Sequence, residues 1–433
     1  MTRRLSVFMW LFLAITPWCN AQRQLHIDEM FNMLEAHNSS LRAGRTGLEA
    51  SSQAIAVARS QRLPELNAQL SASYNGNVLQ LDRNFSNAQS FSQPHWGNSL
   101  VVEAQQVVYA GGAINAGIRL AELGKQMEEH NLNATRNDVR FTTLAQYLEL
   151  IKLDNAIQVY EEHILLTERL IDHIKARQGQ GMALKNDITR YELQLQDLLL
   201  GKRKVEDSRK VANHQLCNAL GMADETIVPD TTIASAHYGI EGEAHWQELG
   251  AASSPVLART DVSTQMAAQQ VRLAKSELLP KIALVAADNF SGPFSYDIPP
   301  INKNFNVWYI GLGVKYSIGN LWKSNKKVRQ AKTTLQQKQE AHAVTGETLD
   351  NRMQEAYTRY LQSYTELETQ RKNVELASQN YTVIRNRYEN QLVLLTDMLD
   401  ASNMKLSAEL REVDARVNIA FAYYRLKYIA GTL

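Results

Sequence analysis

The sequence predicts a mainly α protein with a transmembrane β part, built from two internal repeats. Three observations carry this reading. Long stretches keep a three-and-four apolar spacing with little Gly or Pro, four segments of about ten residues alternate apolar and polar, and one half of the chain matches the other. Only 9 Pro and 21 Gly punctuate 433 residues, which favours very long helices. The charges balance, with 46 Lys and Arg against 45 Asp and Glu, so the chain carries no basic footprint for nucleic acid.

The N-terminus, MTRRLSVFMWLFLAITPWCNAQ, combines Arg3 and Arg4, an apolar run from Leu5 to Ile15 and small residues before Gln22. This pattern predicts a signal peptide over residues 1–21. Pro17 and the polar residues that follow cut the run well below the roughly 20 residues of a membrane-spanning helix. Pro17 and Trp18 also suit poorly a lipid attached at Cys19. Cleavage leaves Cys217 as the one cysteine, so packing and not a disulfide must hold the fold even in an oxidising compartment.

SQRLPELNAQL (60–70) aligns with SELLPKIALVA (276–286), placing Pro64 on Pro280. Further on, Arg119, Tyr147, Arg177, Leu184, Asp187, Ala212 and Gly221 align with Arg329, Tyr357, Arg387, Leu394, Asp397, Ala422 and Gly431 at one constant offset. An offset without insertions is what long helices in register with a neighbour require. The expected organisation is a first repeat over 22–221, an insert or linker over 222–254 and a second repeat over 255–433. Each repeat is predicted to run as a helix (23–62; 255–278), two short strands, a long helix (113–178; 323–390) and a last helix (184–220; 394–429). Pro64 and Pro280 end their helices because proline disfavours a helical residue before it. Gly111 and Gly112 mark a strand-to-helix bend. The long helices show a heptad seam through Ile157, Tyr160, Ile164, Ile171 and Ile174, and through Val374, Ala377, Tyr381, Ile384 and Tyr388. At 1.5 Å per residue such helices reach roughly 100 Å, too long for an ordinary globular bundle.

The strand segments 66–74, 99–109, 281–290 and 307–318 have the length of tilted strands in an outer membrane. Leu66, Leu70 and Tyr74 face one way, Asn67, Gln69 and Ser71 the other. Trp96, Trp308, Tyr309 and Tyr316 near the strand ends suit an interfacial girdle. Four strands cannot close a membrane barrel, and an open edge in hydrocarbon costs several kcal/mol per unpaired group. The sequence therefore predicts a shared twelve-stranded barrel in a homotrimer.

The export signal, the duplicated halves, the LP pairs at Leu63-Pro64 and Leu279-Pro280, YAGG at Tyr109 to Gly112, VRQAK at Val328 to Lys332 and the stretch from Tyr388 to Ala401 together resemble the TolC family of outer-membrane efflux proteins. The resemblance covers essentially the whole mature chain. It implies a coiled-coil α-helical barrel across the periplasm and a β-barrel in outer-membrane lipid, with residues 222–254 as an equatorial insert. It further implies the exit duct of a tripartite efflux or type I secretion system, with drug, metal or protein left open as the substrate, working with a periplasmic adaptor protein and an inner-membrane transporter, without cofactor or metal. Carried over from the family's tip pattern, Asp397 and Asp400 become carboxylates of a ring at the periplasmic aperture, attracting cations and repelling anions. The alternative for these two acids is a solvated helix start, favoured by the positive helix dipole.

In the first half Asp187 matches Asp397, but Arg190 stands where the second acid would be, so an i, i+3 ion pair is expected there. The second-half hairpin is then expected to line the aperture. The first-half hairpin, with Gly179 and Gly181 in its turn, is expected to form the outer wall, and Tyr388, Asp187 and Arg190 complete the tip and adaptor contact. Relatives often lock the gate with an Arg where this chain has Val393, so a different lock is expected. No catalytic motif survives inspection: no H-E-x-x-H, paired cysteines or nucleophile elbow is present. The competing reading is a periplasmic coiled-coil scaffold, which needs the heptads but not the four alternating strands.

Overall fold

The computed structural model describes residues 23–294 and 301–433; the expected export signal over residues 1–21 lies outside them. The chain runs β1 (Arg23–Leu25), α1 (Ile27–His37), α2 (Ser39–Ser60), β2 (Glu65–Tyr74), β3 (Val78–Gln80), β4 (Gln89–Phe91), β5 (Trp96–Tyr109), α3 (Ala113–Gly179) and α4 (Lys185–Leu220). It continues through β6 (Ile227–Pro229), α5 (Thr232–Ser235), α6 (Glu243–Ser253), α7 (Pro255–Ser276), β7 (Lys281–Gly292), β8 (Phe305–Lys315), α8 (Asn320–Glu389) and α9 (Leu395–Ala430). The long helices α3 and α8, of 67 and 70 residues, start and stop close to the predicted limits.

One expectation fails. The helix predicted over 23–62 is a short strand and two helices, α1 and α2, separated at Asn38, whose φ of −63° and ψ of 127° are extended. The Asn38 side-chain amide donates to the Ala219 carbonyl at the end of α4, 3.3 Å away. A polar residue drawn to a neighbouring helix end thus breaks the helix without the Gly or Pro that a sequence pattern registers. The same joint recurs between α6 and α7 at Ser254. α1 and α6 each have 11 residues, α2 and α7 each 22. The lengths of α6 and α7 thus match those of α1 and α2.

Contacts divide the described chain into two compact units. One comprises residues up to Asn38, Arg140–Gly239 and Tyr360–Tyr423; the other comprises Ser39–Val139, Ile240–Arg359 and Tyr424–Leu433. In the first unit β1 pairs in parallel with β6. The buried Tyr147 of α3 donates its hydroxyl hydrogen to the Leu25 carbonyl at 2.5 Å and accepts from the Asp230 N–H at 2.6 Å. From α8, Tyr360 donates to the Gly239 carbonyl and Tyr364 to that of Tyr238, both at 3.1 Å. Tyrosine hydroxyls thus satisfy insert backbone that has few partners of its own. Cys217 is buried and free.

The second unit holds a four-stranded antiparallel sheet in the order β2-β5-β7-β8. Both prolines act as expected. α2 ends at Ser60 and Pro64 precedes β2; α7 ends at Ser276 and Pro280 precedes β7. Gly111 and Gly112, at φ of +63° and +85°, turn the chain from β5 into α3.

Candidate functional site: a two-faced sheet and paired hairpin tips

The two faces of the sheet differ. Register places Leu66 opposite Ala104, Leu70 opposite Leu100, Leu100 opposite Phe290, and Leu284 opposite Leu312. Directly opposed residues share a face, so these side chains form one apolar surface across all four strands. It is bare in the single chain, with Leu70 78% and Ile310 67% exposed. Asn98, Gln106, Asp288 and Asn306 interrupt it. The other face carries Asn67, Gln69, Ser71 and Ser73 from β2 and Glu103 and Gln105 from β5, with Val101, Val285 and Val307 among them. Tyr309, expected in the interfacial girdle, lies on this polar face opposite Ala287; alternation leaves Trp96, with Tyr74 edge-on at 5.4 Å, and Trp308 on the apolar one. The edge strands β2 and β8 are each paired on one side only. Among the described residues no helix is long and apolar enough to cross a membrane.

The tips are the turns joining α3 to α4 and α8 to α9. Both close in the same way. Gly181 N–H donates to the Gln178 carbonyl and Met182 N–H to that of Arg177; Gln391 N–H donates to Tyr388 and Leu392 N–H to Arg387, all at 2.9 to 3.0 Å. This is the double bond pattern of a helix ended by a left-handed residue. Each following helix starts with a leucine that has no capping side chain, so the acid three residues on supplies the acceptor. Leu184 N–H donates to Asp187 Oδ2 at 3.2 Å, and Leu394 N–H to Asp397 Oδ2 at 3.1 Å.

Behind the turns the two hairpins pack on each other through Ile171, Ile174, Ile188, Tyr191, Tyr381 and Tyr388, closed by Leu395, Met398 and Ala401. The repeats contribute complementary volumes here: Tyr191 stands where the other half has Ala401, and Ile171 where it has Tyr381. Burial pushes the hydroxyl pKa values of Tyr191, Tyr381 and Tyr388 up. The buried Tyr191 hydroxyl has no hydrogen-bond partner.

A helical chain in two repeats, with a sheet bare on an apolar face and open at both edges, has one further property: the sequence profile described as Outer membrane efflux protein matches residues 30–222 and 248–432. The chain belongs to that family. No curated protein sequence matches it. Its fold is similar to that of VceC from Vibrio cholerae, at 14% identity and a TM-score of 0.75 over 94% of this chain and 96% of that one. It is also similar to CusC, at 13% identity and 0.79 over 95% of both, and to MtrE of Neisseria gonorrhoeae, at 15% and 0.74 over 94% and 88%. The protein is thus an outer-membrane efflux protein.

In this efflux protein the predicted tip residues divide. Asp397 and Asp400 are exposed one helical turn apart at the start of α9. Asp397 does what the alternative reading asked of it, accepting the backbone at the helix start, while Asp400 has no ion pair or hydrogen bond among the described residues. The ion pair expected between Asp187 and Arg190 is not formed. The Asp187 carboxylate turns to the Leu184 N–H, because a backbone donor fixed by the turn outcompetes an exposed ion pair worth a few tenths of a kcal/mol. Tyr388 is not surface: 9% exposed, with the Arg177 guanidinium 6.0 Å from its ring centre, it supports the tip from within. Val393 packs against the same cluster, as does Ala183 in the first half, which gives this position an apolar role. Gly179 and Gly181 both border open space.

Sequence reading missed Gln391. It occupies the place of Gly181 in the repeat and has a φ of +62°, a conformation that costs a side-chain-bearing residue about 1 kcal/mol. Aligning the two turns residue by residue exposes it. Gln391→Gly is expected to stabilise the second tip by about 0.5–1 kcal/mol, whereas Gly181→Ala should cost about 1 kcal/mol; thermal unfolding of the two variants measures both.

Proposed function

We propose that three copies of this chain close a twelve-stranded barrel in the outer membrane and a helical duct below it, through which an inner-membrane transporter and a periplasmic adaptor protein discharge their substrates. The observation that carries this is the sheet: one face largely apolar and bare, the other richer in polar groups, and two unpaired edges. In hydrocarbon each unpaired backbone group costs several kcal/mol, and pairing β8 of one copy with β2 of the next removes both edges. A periplasmic scaffold has no use for an exposed apolar face of this size. No catalytic role is proposed.

Within that assembly Asp397 and Asp400 line the periplasmic aperture, six carboxylates in all, while the first-half hairpin, with Gly179, Gly181, Asp187 and Arg190, forms the outer wall and meets the adaptor. Asp400, exposed and without a partner, is the stronger contributor; Asp397 is already engaged at its helix start. Such a ring concentrates cations at the entrance. Asp397→Asn/Asp400→Asn trimers in planar bilayers are expected to lose most of their cation selectivity at 0.1 M salt and to differ little from the parent at 1 M, where the screening length falls to about 3 Å. Unchanged selectivity at low salt would remove the acids from the aperture. Chemical crosslinking that yields no trimer from membranes would end the shared barrel.

A further inference from the structure

Beyond the sheet the β2–β5 ribbon does not stop. Its ladder ends at the pair Tyr74 and Trp96; the Asn75 N–H then donates to the His95 carbonyl at 2.7 Å, and the Gln93 side-chain Nε2 donates to the Gly76 carbonyl. Pro94 has no N–H to give and Gly76 has no side chain to pack, so regular pairing lapses here and resumes in the β3–β4 hairpin, with Val78 opposite Phe91. The resumed hairpin lies over the polar side of the sheet. A cleft of about 700 Å³ separates the two, with Ser71, Ser73, Ser99 and Ser291 on the sheet side and Val78 and Phe91 on the hairpin side. The serines belong to three strands and to the face that carries Asn67 and Gln69. Phe294, just past β7, adds a second ring to the cleft wall.

This volume is that of a small-molecule site, and its chemistry is unusual for a pore. Hydroxyls line the floor, apolar rings and a valine form the roof, and among the described residues no Asp, Glu, Lys or Arg lines it. A charged solute would leave bulk water here without a counter-charge, which is costly. An uncharged aromatic or amphiphilic solute would bury its ring against Phe91 and Val78 and keep its polar end on the serines. Since the helices are periplasmic, this end of the sheet opens to the cell exterior.

We propose that the β3–β4 hairpin is a ledge over the pore-facing side of the barrel at its outer mouth, and that the cleft beneath it is a subsite for uncharged aromatic or amphiphilic solutes leaving the channel. The proposal rests on the trimeric channel reading above. It gives the exit mouth a preference of its own, separate from the acids at the periplasmic tip.

The test uses the full-length protein in intact cells, with Ser71→Cys in the cleft and Gln69→Cys one step along the same face as a reference; the buried Cys217 is not expected to react. Both cysteines are labelled from outside by a membrane-impermeant methanethiosulfonate. N-phenyl-1-naphthylamine, which is uncharged, is expected to slow labelling of Ser71→Cys about threefold at twice its dissociation constant and to leave Gln69→Cys unaffected. Its anionic counterpart, 1-anilinonaphthalene-8-sulfonate, should not protect. Adding Phe91→Ser, or Val78→Ser separately, should abolish protection, whereas Phe91→Leu, which keeps the roof apolar and the hairpin paired, should retain it. Absence of protection in the Ser71→Cys protein, equal protection by the sulfonate, or protection that survives both serine variants would overturn the subsite. If neither cysteine reacts from outside, the pore reading itself falls and takes the ledge with it.

Discussion

Gly111→Ala is expected to cost about 3 kcal/mol, while Gly112→Ala next to it costs about 1 kcal/mol. Both glycines have positive φ, and for alanine that alone is worth about 1 kcal/mol. The difference lies in what the new methyl group meets. At Gly112 it would find open space, but at Gly111 it would stand 2.7 Å from the Ser276 carbonyl oxygen and 2.9 Å from the Leu279 Cβ. These atoms end α7 and lead into β7, so the turn out of the first repeat's sheet is wedged against the turn into the second's. Backbone cannot move aside as a side-chain tip does, and overpacking of this kind costs a further 1–3 kcal/mol. The thermal and urea midpoints of the refolded protein measure the effect; equal losses for the two variants would show that the contact at Gly111 relaxes freely.

Tyr147→Phe should destabilise the protein by about 2–4 kcal/mol, and Tyr191→Phe by nothing, or stabilise it by up to about 1 kcal/mol. Both rings are buried. Tyr147 bridges the Leu25 carbonyl and the Asp230 N–H, and deleting its oxygen strands both, each at a desolvation cost of about 1–3 kcal/mol. The Tyr191 hydroxyl has no partner to strand, so removing it relieves a buried polar group. The pair also differs from the parent in alkali. Burial, the largest cause, raises the Tyr147 pKa from 10.0 to about 12, so the folded protein favours the neutral phenol. Its contribution is complete below pH 10, the unfolded value, and fades as pH rises toward 12. The stability gap between parent and Tyr147→Phe is therefore expected to narrow over that window, which denaturant titrations at pH 9 and pH 11.5 resolve. A gap that stays constant would mean that burial does not raise the Tyr147 pKa in the folded protein.

Much of the molecule was legible before any coordinates. The long helices are legible to within a few residues because their apolar spacing of three and four admits no other period, and they hold no Pro and few Gly at which to break. The strands were read because alternation with opposed Leu and Ser demands two different environments. Pro64, Pro280, Gly111 and Gly112 fell where expected, since proline's fixed φ and glycine's access to positive φ act locally. The joint at Asn38 was invisible, because what breaks the helix is a carbonyl of Ala219, far along the chain. The missing Asp187–Arg190 pair has a similar origin: spacing says which side chains are within reach, but the turn geometry decides which acceptor the Leu184 N–H finds.

By itself, then, the sequence determined the elements, their duplication and the two-sided character of the sheet, all of which follow from periodicity along one strand or helix. Only the tertiary structure decided that Tyr388 and Val393 are tip supports and not tip surface, that Gln391 sits in a strained turn, and that the β3–β4 hairpin folds over the polar face to roof a cleft. Those facts depend on which distant residues share a neighbourhood, and burial between elements, unlike periodicity within one, leaves no trace in the order of the residues.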